Sequence, residues 1–359
     1  MFSFTKPVDF LAIGDLAVDA FIKIKDAHVN CSINNVGCEI CMKFGDKVPF
    51  ESVTEVYAVG NSANAAVSAS RLGLSSALYA GIGSDARGID CVKELERNKV
   101  STKYITTHDG MRTNFHFVLW YGAERTILVK QENYPYKLQD IKPPKWIYLS
   151  SLGTNSMDFH MEIVEYLKSH PETKLAFQPG TFQMKLGKEK LADMYKLSEV
   201  FICNVEESER ILGLPENGLP KTEPERTSHI KDLLTKISNL GPKITLITNG
   251  PEGAYMYIPE TWQGAPQAEN YKKEAGYYYM PIYPDPKEPF ERTGCGDSFA
   301  STYVTALIAG KTPLEALEWA PVNPMSVVQY LGAQEGLLTR QKLEELLAKK
   351  PVHYKPVKL

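Results

Sequence analysis

The sequence predicts an α/β protein with a mostly parallel sheet, and three observations lead to this class. The apolar run at residues 10–13 ends at Gly14, as a buried parallel strand does before its turn. From residue 146 onward, strand-like and helix-like segments alternate, which implies a parallel sheet covered on both faces. Residues 20–58 and 112–129 instead alternate polar and apolar side chains, which favours a second, half-exposed antiparallel sheet.

The individual elements follow from the same periodicities. Strands are predicted at residues 10–13, 77–80, 146–149, 175–177, 200–203 and 244–248. Helices are predicted at residues 60–73, 88–98, 157–169, 206–212, 227–240 and 297–309. The segments rich in proline and glycine, predicted to be surface loops, are 215–225 and 259–290. We interpret residues 1–359 as one domain.

Composition and charge narrow the class of function. Of the 359 residues, 43% are hydrophobic and 23% are charged, which is ordinary for a globular protein with a sizeable core. The net charge of −3 argues against a binding surface for nucleic acid or an acidic membrane. No stretch reaches 18 apolar residues, since Asp15 and Asp19 interrupt the first apolar run, so no membrane span is predicted. The opening, residues 1–7, has no basic segment followed by an apolar one, and we therefore expect a cytoplasmic location.

The cysteines are consistent with that compartment. Cys38 and Cys41 have the spacing of half a zinc site, but no second ligand pair accompanies them. We therefore expect all 6 cysteines to be reduced thiols rather than metal ligands.

The segment from Gly294 to Asp297 is the most informative part of the chain. Gly294 and Gly296 allow the backbone around Cys295 to turn its N–H groups toward a helix N-terminus, which forms an anion site. Asp297 lies at that terminus, where a carboxylate can simply stabilise the helix. It can also accept a proton from a hydroxyl that attacks a phosphoryl group held in the anion site. The local sequence leaves both interpretations open.

Further polar segments follow predicted strands. They are residues 14–19, 59–64, 204–207 and 248–253. Taken singly, each is typical of a helix cap or a turn. Taken together, they place polar groups along the carboxyl edge of the sheet, where α/β proteins bind ligands.

This combination resembles the PfkB, or ribokinase-like, family of carbohydrate kinases over almost the whole chain. The motifs similar to those of the family are Gly294–Asp297, Gly60–Asn64 with its alanine-rich helix, Asn204 with Glu207, and the glycine loop at residues 81–88. The resemblance implies a ribokinase-like three-layer α/β sandwich with a central, mostly parallel sheet. It also implies a small β-sheet lid formed by about residues 22–55 and 112–130.

The resemblance further implies ATP-dependent phosphotransfer, with Mg²⁺, to a hydroxymethyl group of a sugar or sugar-like alcohol. Asp297 would be the catalytic base, and the backbone of Gly294, Cys295 and Gly296 would be the anion hole. The residues implied to bind the nucleotide are Asn204, Thr248, Gly250, Gly253 and Asn323; those implied to bind the acceptor are Asp19, Gly60, Asn61 and Asn64. Asn114 lies on the polar face of a predicted lid strand, which either lines the acceptor pocket or meets solvent. Asn204 and Glu207 would hold Mg²⁺ through water.

Three positions depart from the family's pattern. Val59 replaces the first of two glycines that many members have. Glu291 replaces an aspartate that helps many members to hold a monovalent cation, so K⁺ is a candidate cofactor here. Arg292 is unusual as well, and it either reaches a phosphate or is solvated.

Alternative functions remain open at this point. The acceptor can be a nucleoside, as for an adenosine-type kinase, or the chain can be a sugar-binding member without catalysis. The pattern Gly81-x-Gly83-x-x-Ala86 also matches a nicotinamide-binding fingerprint, which would make the chain an oxidoreductase. We expect a small-molecule substrate and no nucleic acid or membrane partner, with a homodimer formed through the lid as a candidate assembly.

Overall fold

A computed structural model describes residues 7–31, 38–122, 124–216, 218–262 and 274–359. The strands, numbered in chain order, are β1 (Phe10–Ile13), β2 (Ala17–Ile24), β3 (His28–Asn30), β4 (Glu39–Cys41), β5 (Phe50–Val59), β6 (Ser76–Gly83), β7 (Ser101–His108), β8 (Asn114–Tyr121), β9 (Glu124–Leu128), β10 (Trp146–Leu149), β11 (Lys174–Phe177), β12 (Ser198–Asn204), β13 (Ile244–Thr248), β14 (Ala254–Ile258), β15 (Gly276–Met280) and β16 (Val357–Lys358). The helices are α1 (Asn61–Arg71), α2 (Ala86–Arg97), α3 (Met157–Ser169), α4 (Thr181–Leu186), α5 (Ala192–Leu197), α6 (Val205–Leu212), α7 (Glu225–Ser238), α8 (Cys295–Ile308), α9 (Pro313–Trp319), α10 (Val322–Val327) and α11 (Arg340–Ala348).

The centre of the fold is a 10-stranded sheet with the order β16-β15-β14-β13-β12-β11-β10-β1-β6-β7. The strands from β13 to β7 pair in parallel, whereas β14, β15 and β16 pair antiparallel at one edge. The prediction of a mostly parallel α/β sheet is therefore confirmed. The parallel strands all end at one edge, and the polar segments that follow them meet there.

Alternating side chains of the central strands fill two apolar layers. Phe10 and Ala12 of β1 belong to one cluster, which includes side chains of α1 and α8. Leu11 and Ile13 belong to the other, which includes side chains of α3 and α7. All four are fully buried, and burial of a large side chain such as that of Phe10, Leu11 or Ile13 stabilises the fold by about 1.5–3 kcal/mol. This gives the three-layer arrangement.

A 4-stranded sheet with the order β5-β2-β8-β9 forms the lid, and β3 and β4 pair as a separate 2-stranded sheet. The lid sheet begins at Ala17 and includes residues up to Val59, so it extends beyond the expected segment 22–55. The apolar run of β1 resumes directly in β2, where Val18 and Phe21 are buried, and this explains the early start. Its second part, β8 and β9, lies inside the expected segment 112–130.

Every predicted strand and helix overlaps an observed one, but further elements occur where none was expected. The segment 259–290, predicted to be a surface loop, contains β15, which pairs with β14. Tyr257 of β14 stacks on Tyr277 of β15, with ring centroids 4.3 Å apart. This cross-strand aromatic pair stabilises a strand in a segment whose prolines favour a loop. Residues 263–273 of that loop, residue 217 of the other predicted loop and residues 1–6 of the opening lie outside the described residues.

The cysteine prediction is wrong at two positions. Cys31 and Cys38 form a disulfide, so Cys38 is not a free thiol beside Cys41. Among the described residues, no cluster of histidine, cysteine and acidic side chains has the arrangement of a metal site. Within the same ranges, no helix is long and apolar enough to cross a membrane.

Candidate active site

Two cavities meet at the carboxyl edge of the large sheet. The larger, of about 600 Å³, lies between the sheet and the lid, and most of its lining residues are polar or charged. The smaller, of about 280 Å³, is mainly apolar, and Pro321, Met325 and Val328 are among its lining residues. The residues that line both cavities are Thr248, Arg292, Cys295 and Gly296. A molecule in each cavity would therefore meet its neighbour beside the first turn of α8.

The first turn of α8 has the backbone geometry that the predicted anion site requires. Gly294 precedes the helix with φ of 79°, and a Cβ there would lie 2.2 Å from Cβ of Ala333, so only glycine fits. The backbone N–H groups of Cys295 and Gly296 lie in the first turn, where a helix provides no carbonyl partner for them. They point toward the place where an anionic group would be most stable.

The Asp297 carboxylate is held by side chains from another helix. Asn61 Nδ2 donates to Oδ1 at 2.8 Å, and Asn64 Nδ2 donates to Oδ2 at 2.8 Å. Gln178 Nε2 donates to Oδ1 at 3.5 Å. Because both oxygens accept hydrogen bonds from outside α8, and no side-chain cap is present at this helix, Asp297 is not simply a helix cap.

Burial changes the acid–base character of Asp297. The residue is 7% exposed, and loss of water raises the pKa of its carboxyl group above the usual value. Hydrogen bonds from Asn64 and Asn61, together with the charge of Arg125, oppose this increase. A carboxylate with a raised pKa is a better proton acceptor than an exposed one.

Cys295 is not a second reactive group. Burial raises the pKa of its thiol to about 12, so the sulfur stays protonated at neutral pH. Its backbone N–H, rather than its side chain, is the part that serves the anion site.

Asn204 and Glu207 form a reciprocal capping box at the start of α6. Glu207 N donates to Asn204 Oδ1 at 2.7 Å, and Asn204 N donates to Glu207 Oε2 at 2.9 Å. Both side chains also line the larger cavity, and burial raises the pKa of Glu207. Amide and carboxylate oxygens are ligands that Mg²⁺ accepts, commonly through its water shell, so these residues fit the predicted metal.

Two further carboxylates, those of Asp15 and Asp19, line the larger cavity. Asp19 Oδ1 lies 3.2 Å from His116 Nδ1, which projects from the neighbouring lid strand β8. Asp15 accepts hydrogen bonds from Tyr136 Oη at 2.8 and 2.9 Å and from Gln131 Nε2. Burial raises the pKa of Asp15 to about 7, although the residue lines the cavity.

The other predicted site residues fall into three groups. Gly60, Thr248, Gly250 and Gly253 line the cavities as expected. Asn114 lines the larger cavity but uses its amide to bind Leu16 O at 2.9 Å and Glu132 N at 2.7 Å, so it ties the lid to the body.

Asn323 lines neither cavity, although the resemblance implies that it binds the nucleotide. The side chain is fully buried, and its Nδ2 donates to Thr302 Oγ1 at 2.9 Å while its Oδ1 accepts from Leu338 N at 2.9 Å. It therefore packs the helices beneath the site instead of touching a ligand.

The residues around Glu291 do not fit a bound monovalent cation. This fully buried carboxylate accepts hydrogen bonds from Thr293 N at 2.7 Å, Thr293 Oγ1 at 2.5 Å and Gly332 N at 3.2 Å. Arg125 Nε lies 3.6 Å from Oε1. A cation added here would meet the guanidinium charge and would have to compete with these donors.

The glycine pattern at residues 81–86 serves packing rather than a dinucleotide. A Cβ on Gly83 would lie 2.3 Å from the carbonyl carbon of Arg112, so the loop after β7 already covers this position. The N-terminus of α2 is capped by the Asp85 side chain, which accepts from Gly88 N at 3.0 Å. A pyrophosphate would find that terminus occupied by a carboxylate.

Sequence reasoning missed three side chains of the site. Gln178 directly follows β11, so the rule of polar residues after strands would have found it. Asp15 stood in a segment that was singled out, but only Asp19 was assigned a role. Arg125 lies within a lid strand, and no motif marks it.

Comparisons with known proteins show the family of the chain and its fold. A family model described as "pfkB family carbohydrate kinase" matches residues 30–340. The chain is 27% identical over 295 residues to the ribokinase of Bacillus subtilis (strain 168), covering 80% of this chain and 87% of that protein. It is 23% identical over 364 aligned positions to the 5-dehydro-2-deoxygluconokinase of Geobacillus thermodenitrificans (strain NG80-2), covering 95% and 94%. The solved structure of Arabidopsis thaliana ribokinase complexed with ribose and ATP has a TM-score of 0.72 at 17% identity, covering 95% and 99%.

Proposed function

The chain belongs to the pfkB family of carbohydrate kinases, and we propose that it transfers a phosphoryl group from ATP to a hydroxymethyl group of a sugar or sugar-like alcohol. The observation that carries this proposal is the position of Asp297. Its buried carboxylate lines the polar cavity beside Cys295 and Gly296, where that cavity meets the apolar one.

Each substrate has a cavity suited to its chemistry. The smaller cavity has the apolar walls that a nucleobase prefers, with Thr248, Gly250 and Gly253 along its side. The larger cavity offers carboxylates, which accept sugar hydroxyl groups. The terminal phosphate of ATP would then reach the shared boundary at the first turn of α8.

The transfer itself needs a base and a stabilised phosphoryl group. Asp297 takes the proton of the acceptor hydroxyl as that oxygen forms a bond to the terminal phosphorus and the bond to ADP breaks. The N–H groups of Cys295 and Gly296 stabilise the negative charge on the transferred group. Asn61 and Asn64, which sequence reasoning assigned to sugar hydroxyls, orient the carboxylate in this scheme.

Kinases of this family use ATP with Mg²⁺. The Mg²⁺ supplies positive charge to the nucleotide phosphates when it is bound. Asn204 and Glu207 would hold it through water, and the capping box fixes both side chains at the cavity wall.

We further propose that the chain acts in the cytoplasm, where ATP is available, and that it forms a homodimer through the lid. The outer lid face leaves Val53, Phe117 and Leu128 between 45% and 54% exposed, which is unusual for large apolar side chains on one small sheet. Light scattering of the wild type should show a dimer, and Phe117→Glu should reduce it to a monomer. A monomeric wild-type protein would reject this assembly.

A coupled ATP-consumption screen tests the proposed function. Pentoses, hexoses, sugar acids, sugar phosphates and nucleosides are offered with Mg²⁺, and Asp297→Asn serves as the control in every well. We expect turnover with a sugar or sugar-like alcohol that disappears in the control. Turnover with nucleosides alone would select a nucleoside kinase, and binding of sugars without turnover would leave a non-catalytic protein.

A further inference from the structure

The lid touches the body at three consecutive residues that lead into the anion site. The Trp120 ring meets the Phe290 ring edge to face, with centroids 5.1 Å apart. Arg125 Nε lies 3.6 Å from Glu291 Oε1, and Arg292 Nη1 lies 2.7 Å from Glu124 Oε1. Two neighbouring residues of β9 thus form crossed ion pairs with two neighbouring residues of the body.

The inner pair has an asymmetric environment. Glu291 is fully buried, whereas Arg125 is 26% exposed and lines the larger cavity. Arg125 Nε is shielded from solvent and makes no hydrogen bond to any described residue. The guanidinium is therefore held by the charge of Glu291 rather than by a network of its own.

Glu291 in turn fixes the backbone that leads into the anion site. It accepts from both the N–H and the hydroxyl group of Thr293, and from the N–H of Gly332. Gly294 follows Thr293 directly, and the N–H groups of the anion site come next. A change in the position of Glu291 would therefore move those groups.

A buried carboxylate is costly unless a positive charge or several donors compensate for it. Arg125 provides that charge, and it comes from the lid. When the lid strand β9 moves away, Glu291 loses its compensating cation while the neutral donors remain. We therefore expect the conformation of residues 291–294 to depend on the position of β9.

We propose that Arg125 is a positioning residue that acts through Glu291, so that the anion site is correctly set only when the lid covers the acceptor. The proposal rests on the kinase function proposed above. The exposed pair of Glu124 and Arg292 adds a second, weaker contact between the same two segments.

The test compares Arg125→Met, Glu291→Gln and the double variant with wild type. An anion site displaced by about 1 Å can cost about 100-fold in rate. We expect each single variant to lower kcat at least about 10-fold while the acceptor KM changes less than about threefold. The double variant should be no worse than either single variant, because both interrupt one pathway. Arg125→Lys should retain more activity than Arg125→Met.

Arg87→Met is the matched control. Arg87 of α2 pairs with Glu55 of β5 at 3.1 Å, so this variant breaks another ion pair between lid and body. It should leave kcat near the wild-type value. Additive losses in the double variant would show that Arg125 and Glu291 act independently, which would overturn the proposal. A loss confined to the acceptor KM would overturn it as well and would make Arg125 a direct acceptor ligand.

Hydrogen exchange separates this proposal from the proposed function. Amides of residues 290–298 should exchange faster in Arg125→Met than in wild type or Arg87→Met, without any substrate present. If wild type phosphorylates none of the screened acceptors, the kinase proposal fails, but the exchange comparison still tests whether Arg125 positions residues 290–298. Equal exchange in all three proteins would reject this role of Arg125.

Discussion

The side-chain amide of Asn64 donates a hydrogen bond of 2.8 Å to Oδ2 of Asp297, which joins the first turns of α1 and α8. The oxygen of the same amide accepts from Gln334 Nε2 at 2.9 Å, so Asn64 cannot rotate without breaking a second contact. The base of the proposed reaction is therefore held in one orientation before any substrate arrives. Such preorganisation is what a proton acceptor needs for efficient catalysis.

Replacing Asn64 by serine removes this donor from the Asp297 carboxylate. The charged form loses stabilisation, so the pKa of Asp297 increases further, and the acidic limb of the kcat profile moves to higher pH. Because the buried Asp297 Oδ2 loses a donor and Gln334 Nε2 loses an acceptor, the free energy of unfolding should fall by about 1–3 kcal/mol. A pH–rate profile beside a denaturation curve checks both effects.

Asn323→Ala is the control for this variant, since Asn323 is a buried asparagine without contact to Asp297. It should lower stability and leave the acidic limb where it is. If the limb of Asn64→Ser coincides with that of wild type, Asn64 has no influence on the base.

Replacing Glu207 by glutamine tests the metal assignment. Glutamine also serves in a capping box, so α6 should form normally while the negative charge is lost. The Mg²⁺ concentration for half-maximal rate should increase about 10-fold or more, because residues around a metal's water shell contribute this much to affinity. Mg²⁺ titration at saturating ATP provides the measurement.

The neighbouring Glu206 offers the comparison, as it lies in the same helical turn but is exposed. Glu206→Gln should keep the wild-type Mg²⁺ dependence. An unchanged requirement in Glu207→Gln would remove this residue from the metal site.

Local patterns predicted the architecture well because they report local structure. The turn at Gly294 and the acid at Asp297 identified the start of α8 from chain geometry alone. The partners of that acid were not predictable, because Asn61 is 236 positions away and no pattern records which helix ends face each other. The pair of Arg125 and Glu291 escaped for the same reason. Asn61 and Asn64 are predicted from the resemblance to bind sugar hydroxyls, but in the structure their amide groups donate to Asp297.

Asp15 should make stability depend on pH. Its pKa of about 7 is above the usual carboxyl value, so the folded chain binds a proton that the unfolded chain releases. Stability is therefore greater at low pH and is lost as pH rises toward and through about 7. Asp15→Asn removes this loss, and its Tm relative to wild type should increase between about pH 5 and about pH 8. A Tm difference that is constant with pH would contradict the assignment.

Monovalent cations should have little effect on rate. Glu291 is already compensated by Arg125 and by N–H and O–H donors, which leaves little gain for a bound K⁺. We expect rates in potassium and sodium salts at equal ionic strength to agree within about twofold. Electrostatic screening depends on ionic strength and is therefore nearly the same in the two salts. Strong and saturable activation by K⁺ would show that Glu291 binds a cation after all.

Asp297→Asn measures the central claim most directly. The change keeps the size of the side chain and removes its basicity, and general-base help is worth about 100- to 10,000-fold in rate. We predict that kcat falls at least about 100-fold, while ATP affinity stays the same or tightens because one negative charge near the phosphates is gone. Turnover, ATP affinity and Tm are determined on the same preparation, so that loss of folding is recognised. Near-normal turnover by a folded Asp297→Asn protein would contradict the proposed mechanism.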